Sequence, residues 1–188
     1  MKDNERTYQD LKGFSLPKNF RGRNPFFVQL WWIVQSVLVA TSPQFMYGWR
    51  RFVFRAFGAK IGENVLLRPS VKMTFPWHVE IGDETWVGDN VVLYSLGQIK
   101  IGSHVVVSQN SYICTGTHDF LNVNFDMERH PVVIEDQVWL ANDVYVAPGV
   151  TVERGCVVGT RSSVFNDLPS GMICYGSPAK PKKARLAE

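Results

Sequence analysis

The sequence predicts an all-β chain: a parallel β-helix of six-residue repeats, closed at its N-terminal end by two α-helices. Three observations predict it. An aliphatic residue returns at every sixth position, most cleanly at Ile134, Leu140, Val146, Val152, Val158 and Val164. A small or medium side chain follows most anchors four places later, as at Val138, Val144, Val150 and Cys156. Glycine often comes directly after the anchor, as at Gly62, Gly82, Gly88, Gly102 and Gly159. A helix repeats at 3.6 residues and a half-exposed strand at 2, so neither element alone gives this period. One short strand plus one turn does, and three such units make one coil of a solenoid.

The N-terminal part, residues 1–57, reads as an arm followed by a helical cap. Phe26 to Trp49 contains no charged side chain, a length that raises a membrane span. Gln29, Gln35 and Gln44 interrupt it, and Ser42-Pro43 has the form of an N-cap and first-turn proline. Two helices are therefore expected, Pro25–Ala40 and Pro43–Phe57, with Gly58 as the stop. The second would gather Phe45, Met46, Trp49, Phe52, Val53 and Ala56 on one face and its arginines on the other. A terminal coil exposes apolar core and open strand edges, so a cap is needed there. The same segment, residues 26–57 with Arg21, Arg23, Arg50, Arg51 and Arg55 around it, also admits peripheral contact with a membrane surface.

Residues 58–168 carry the repeats. Earlier anchors run Ile61, Leu67, Met73, then Ile81, Val87, Leu93, then Ile101, Val107, Ile113. The steps from Ile61 to Ile81 and from Ile81 to Ile101 each exceed a strict coil by two residues, which implies wider turns at one corner. Between Ile113 and Ile134 the phase breaks, and the polar intruder marks an extruded loop at 119–131. A loop thrown out of a solenoid usually carries function. Trp77, Trp86 and Trp139 are expected to pack at corners. Residues 169–188 form a C-terminal tail.

At 188 residues the chain suits one domain with a sizeable core, and a net charge of +3 gives no electrostatic reason to expect nucleic acid as a partner. Cys114, Cys156 and Cys174 lack metal-ligand spacing and read as reduced core residues of a cytoplasmic protein. The first apolar stretch begins too late for a secretory signal.

The segments Leu11-Lys12-Gly13-Phe14, Gln29-Leu30-Trp31-Trp32, Phe57-Gly58-Ala59-Lys60-Ile61-Gly62, Cys114-Thr115-Gly116-Thr117-His118-Asp119 and Gly176-Ser177-Pro178-Ala179-Lys180 give the chain a resemblance over nearly its whole length. It resembles the hexapeptide-repeat acyltransferases, and among them the colanic acid biosynthesis acetyltransferases. The resemblance implies a left-handed helix, against the usual crossover preference. It implies a homotrimer that transfers acetyl from acetyl-CoA to a sugar hydroxyl of an exopolysaccharide precursor, without a metal. It also implies that His118 is the general base, a role suited to imidazole near neutral pH. Asp119, Glu128 or a backbone carbonyl would orient the ring.

By the same resemblance, Ala141, Asn142, Thr160, Phe165 and Asn166 lie where small turn residues and backbone groups contact the donor. Lys180 and Lys183 match positions near its phosphates, with Lys182 and Arg185 as substitutes. Thr160-Arg161 replaces the smaller turn residues common in relatives and would narrow the groove. Asn90, Tyr94 and Phe120 are the acceptor-side candidates. A three-histidine zinc site is the rival chemistry for this scaffold, but His78, His104, His118 and His130 lack the spacing it requires. The alternatives in function are N-acetylation of an amino sugar or sugar nucleotide, and a non-catalytic trimeric scaffold. A lipid-linked acceptor would bring the protein to the inner face of the membrane.

Overall fold

The computed structural model describes residues 7–186. Strands of two or three residues stack into three parallel sheets, one per face of a left-handed solenoid of about six turns. The first face holds Lys60–Ile61, Val79–Ile81, Ile99–Ile101, Val132–Ile134 and Thr151–Val152. The second holds Leu66–Leu67, Trp86–Val87, Val106–Val107, Trp139–Leu140 and Val157–Val158. The third holds Lys72–Met73, Val92–Tyr94, Tyr112–Cys114, Tyr145–Val146 and Ser163–Val164.

The register places anchor on anchor: Ile61 on Ile81, Ile81 on Ile101, Ile101 on Ile134 and Ile134 on Val152. The anchors are buried in one continuous core. Successive side chains on a strand alternate in direction, so the residue before each anchor faces out. The glycines after the anchors allow close coil contact. A Cβ on Gly102 would stand 2.7 Å from the Asp136 amide nitrogen in the next coil. Left-handed turn residues complete the corners, among them His104 at φ 56° and Asn90 at φ 57°. His104 is thus an exposed turn residue.

The wider corner lies between the third and first faces. Its first two turns interlock through Ser95, whose hydroxyl accepts from Phe75 N and donates to Phe75 O, both at 2.9 Å. At the third turn Thr115 donates to Tyr94 O at 2.7 Å and accepts from Gly97 N at 2.8 Å. The chain then leaves the solenoid as an antiparallel hairpin, Gly116–His118 against Met127–Arg129. The extrusion therefore begins earlier than residue 119, and His118 stands on the hairpin rather than at the end of the third face. Thr115 ties its own corner to the coil below, which frees the chain beyond it to turn outward.

Two helices cap the first coil. Helix α1, Pro25–Val34, starts at the Asn24 side chain and continues as a π-helical segment, Gln35–Val39. Helix α2 spans Tyr47–Ala56, shorter than expected, and has no side-chain N-cap. Ser42 instead accepts from Arg50 at 2.9 Å and donates to Val39 O at 2.6 Å. The apolar face expected for α2 is also rotated. Phe45 and Phe52 are exposed, and Arg50 is fully buried with Val53 and Phe54. The physical reason is the open strand edge. Arg50 donates to Leu67 O at 2.6 Å, Arg51 to Val65 O at 2.9 Å and Arg55 to Ile61 O at 2.8 Å. From α1 Trp31 donates to Met73 O at 2.9 Å, and from the π-helical segment Gln35 accepts from Met73 N at 2.8 Å. Carbonyls pointing away from the next coil need donors, and unsatisfied ones are costly once covered.

The second face continues past residue 168. Met172–Gly176 pairs with Val157–Val158, and Ala179–Ala184 returns antiparallel to it. Arg185 ends the segment by donating to Gln137 O and Gly155 O. All three cysteines are free and buried, as expected, and the Cys156 and Cys174 sulfurs lie 3.7 Å apart. Trp77 packs at the wide corner, stacked on Phe75. Trp86 and Trp139 do not: they precede inward anchors and stand 55% and 45% exposed on the second face.

Candidate active site

The hairpin presents His118 with a fixed ring. Its Nδ1 lies 2.8 Å from the Phe125 carbonyl oxygen, and the imidazole stacks on the Phe125 ring with centroids 4.1 Å apart. A carbonyl only accepts, so Nδ1 carries a proton, and in the neutral ring Nε2 is the nitrogen with the lone pair. This is the tautomer a general base needs, with the basic nitrogen directed away from its orienting bond.

Neither carboxylate orients the ring. Asp119 Oδ1 accepts from the Leu121 amide at 3.0 Å, which shapes the loop turn. Glu128 pairs with His130 at 3.2 Å on the half-exposed surface of the hairpin. Of the orienting groups considered from sequence, the backbone carbonyl occupies the place.

The N-terminal arm reaches this hairpin. Asp10 N donates to Val123 O at 2.8 Å, and the Phe14 ring lies 5.9 Å from the His118 ring. Arg129 donates to Phe20 O at 2.8 Å and lies over the Phe20 ring. Phe20 is buried with Val28, Phe75 and Leu96. Phe14 was not among the residues expected at the site, although it sits in the segment Leu11-Lys12-Gly13-Phe14 that carries part of the resemblance.

Tyr94 flanks the base of the hairpin, where a Cβ on Gly116 would meet its ring at 3.1 Å. It begins an aromatic row along the third face: Tyr94, Tyr112, Tyr145 and Phe165, with successive centroids 6.0, 6.1 and 5.9 Å apart. Burial is the main cause that pushes the Tyr112 and Tyr145 hydroxyls up to about 12. They remain neutral hydrogen-bond donors at neutral pH. The signal for the row was present in the sequence, because Tyr112 and Tyr145 occupy equivalent positions in successive coils. Phe120 is 76% exposed in the loop.

The remaining candidates lie elsewhere on the chain. Ala141, Asn142 and Thr160 stand on the corner between the second and third faces, as does Asn90, whose amide donates to Asn110 at 3.3 Å. The Asn142 Oδ1 is buried and has no hydrogen-bond partner among the described residues. Arg161, next to Thr160, adopts φ 57° and bonds Asp143, so its head turns along the corner. Phe165 and Asn166 are exposed just after the third face. Lys180 and Lys183 are exposed on the C-terminal strand, and Lys182 lies over the Tyr175 ring. Within one chain the third face separates the Asn90–Ala141–Thr160 corner from the His118 corner.

The histidines do not cluster. His78 is partly buried beside Ser95 O, and its pKa is held below the ordinary value, chiefly by burial. No group of three or more His, Cys, Asp or Glu residues among those described is placed to hold a metal ion.

No family profile matches the chain. Among curated proteins it is 58% identical over 178 residues to WcaF of Escherichia coli K12, a protein assigned to colanic acid biosynthesis as an acetyltransferase. That alignment covers 95% of this chain and 98% of the relative. Among solved structures, a hexapeptide-repeat acetyltransferase of Vibrio cholerae superposes with a TM-score of 0.80 at 24% identity, covering 94% of this chain and 98% of the other. That protein has also been solved with acetyl-CoA. A galactoside acetyltransferase in complex with coenzyme A superposes with a TM-score of 0.80 at 20% identity, covering 92% of this chain and 85% of the other. The two structural likenesses establish the fold, and the sequence identity over almost the full length of both chains establishes the family: the chain belongs to the colanic acid biosynthesis acetyltransferases.

Proposed function

We propose that the protein transfers the acetyl group of acetyl-CoA to a sugar hydroxyl of an exopolysaccharide precursor, directly and within a ternary complex. The observation that carries this reading is the His118–Phe125 bond, which engages Nδ1 and leaves Nε2 free of a partner among the described residues. Nε2 takes the proton of the acceptor hydroxyl as its oxygen attacks the thioester carbonyl. A carbon–oxygen bond forms, the carbon–sulfur bond breaks, and the imidazolium returns the proton to the departing thiolate. Phe14, Tyr94 and Phe120 are the acceptor-side groups of this reading, with aromatic faces suited to a sugar ring.

The donor side is proposed to come from an adjoining copy in a homotrimer. The third face lies between the two corners within one chain, which supports this: a neighbour would bring the donor-side Ala141, Asn142 and Thr160, and with them the acceptor-side Asn90, to His118. The apolar outer surface of the second face, with Trp86, Val106 and Trp139, is the surface proposed to pack in that assembly. Lys180 and Lys183, free on the C-terminal strand, are the proposed phosphate contacts. A lipid-linked acceptor is part of the same proposal and would bring the enzyme to the inner face of the membrane.

The test is product linkage. Purified protein, acetyl-CoA and candidate sugars should give an acetylated product whose acetyl group is released by hydroxylamine, as an ester is. A hydroxylamine-stable product would be an amide and would favour N-acetylation.

A further inference from the structure

We propose that the helical cap is a docking surface for an anionic lipid bilayer, held at the interface without crossing it. The proposal stands on the cap alone and does not depend on the acetyl-transfer reading.

The first observation is an unpartnered apolar stripe. Phe26, Leu30, Ile33 and Val37 recur at intervals of four, three and four residues and so share one side of α1 and its π-helical extension. That side points away from the core: Phe26 is 79% exposed, Ile33 61% and Val37 55%. The opposite side is already occupied by Val28, Trp31 and Val39, which are buried. A surface helix ordinarily turns a polar face to water, and this one turns apolar residues both ways. Contiguous exposed apolar area of this kind marks an interaction surface.

The second observation is charge. Eight of the chain's 20 Lys and Arg residues and none of its 17 Asp and Glu residues fall between Leu11 and Gly62. Arg51 and Arg55 of α2 are bonded to neutral carbonyls, so no carboxylate cancels their charge, whereas Arg50 is fully buried and Lys60 is paired with Glu80. Lys18 and Arg23 are exposed just before the stripe begins. An apolar stripe beside uncompensated basic charge complements an anionic membrane, where basic residues near the surface each add to binding. The same charge opposes a second copy docking cap to cap, since that would bring like charges together.

Length decides between lying on and crossing. No helix among the described residues is long and apolar enough to cross a membrane. The hairpin that carries His118 leaves the solenoid from its third coil, two strand spacings or about 10 Å above the coil that the cap covers. A cap seated on the bilayer would therefore hold that site near the headgroups.

The experiment uses the intact chain, sedimented with phosphatidylcholine vesicles and with vesicles of mixed phosphatidylcholine and phosphatidylglycerol. Binding to the mixed vesicles is expected, weakening as salt rises, with a blue shift of tryptophan fluorescence from the partly exposed Trp32. The double variant Ile33→Glu with Val37→Glu should lower partitioning about tenfold or more, with unfolding transition and oligomeric state unchanged. Because both side chains are exposed, the fold should tolerate the change. Failure of the wild type to sediment with anionic vesicles would overturn the proposal. So would equal sedimentation of the variant, or a wild-type assembly that the variant dissociates, which would identify a second copy as the occupant.

Discussion

The His118 ring lies flat against the Phe125 ring, and its Nδ1 points at the Phe125 carbonyl oxygen 2.8 Å away. One residue thus supplies both the plane and the tautomer of the proposed base, seven positions further along the same hairpin. His118→Ala should lower turnover by about 10²–10⁴. Steady-state rates at saturating acetyl-CoA, on variants with unchanged unfolding transitions, check this.

The carboxylates beside His118 should matter little. Asp119→Asn and Glu128→Gln each leave the Phe125 carbonyl in place, so both variants should keep activity within a few-fold of the parent. Phe125→Ala removes the stacking partner and should lower kcat more than either, with a small effect on KM for the donor. A large loss in Asp119→Asn with normal folding would return the orienting role to the carboxylate.

Much of this arrangement was legible beforehand, and the reason is periodicity. Anchors from Ile61 to Val164 are spaced by the solenoid itself, and the phase break between Ile113 and Ile134 located the hairpin. What the sequence concealed were partners made of backbone. The Phe125 carbonyl has no residue code, so the orienter of His118 could only be narrowed to three options. The open carbonyls of Ile61, Val65 and Leu67 are equally silent, which is why the arginines of α2 were expected to face outward. Ser42 departs from its expected cap role for a related reason: its hydroxyl serves Arg50 rather than a helix start.

Arg50 is the test of that edge. Its guanidinium donates to Leu67 O, Ser42 Oγ, Pro43 O and Gln44 O while fully buried. Arg50→Met keeps much of the volume and removes every donor. It should destabilise the protein by about 3 kcal/mol or more, since several buried acceptors lose their partners. Urea unfolding followed by circular dichroism reads the difference.

The coil spacing predicts an effect of a single methyl group. A Cβ added at Gly102 would stand 2.7 Å from backbone nitrogen of Asp136, which cannot rotate away. Gly102→Ala should cost about 1–3 kcal/mol through forced separation of neighbouring coils. Gly171→Ala is a control for crowding, because no atom lies within 4 Å of its added Cβ, although its φ of +66° brings backbone strain of its own.

His78 gives the protein a pH dependence near neutrality. Burial holds its folded pKa below the ordinary value of 6.5, so the unfolded chain binds the proton more readily. Its contribution to stability is therefore complete above about 6.5 and declines as pH falls below that value. Arg129 adds repulsion in the same direction. Unfolding free energy measured between pH 7.5 and 5 should fall, and the slope should be shallower in His78→Asn.

Release of free thiol from acetyl-CoA, followed with lipid-linked and nucleotide-linked sugars, tests the central claim most directly. The account predicts acceptor-dependent release by the wild type that falls to near background in His118→Ala, while acetyl-CoA binding is retained. Equal release by the folded variant would contradict His118 as the base, and a wild type that binds no acetyl-CoA would contradict the enzyme itself.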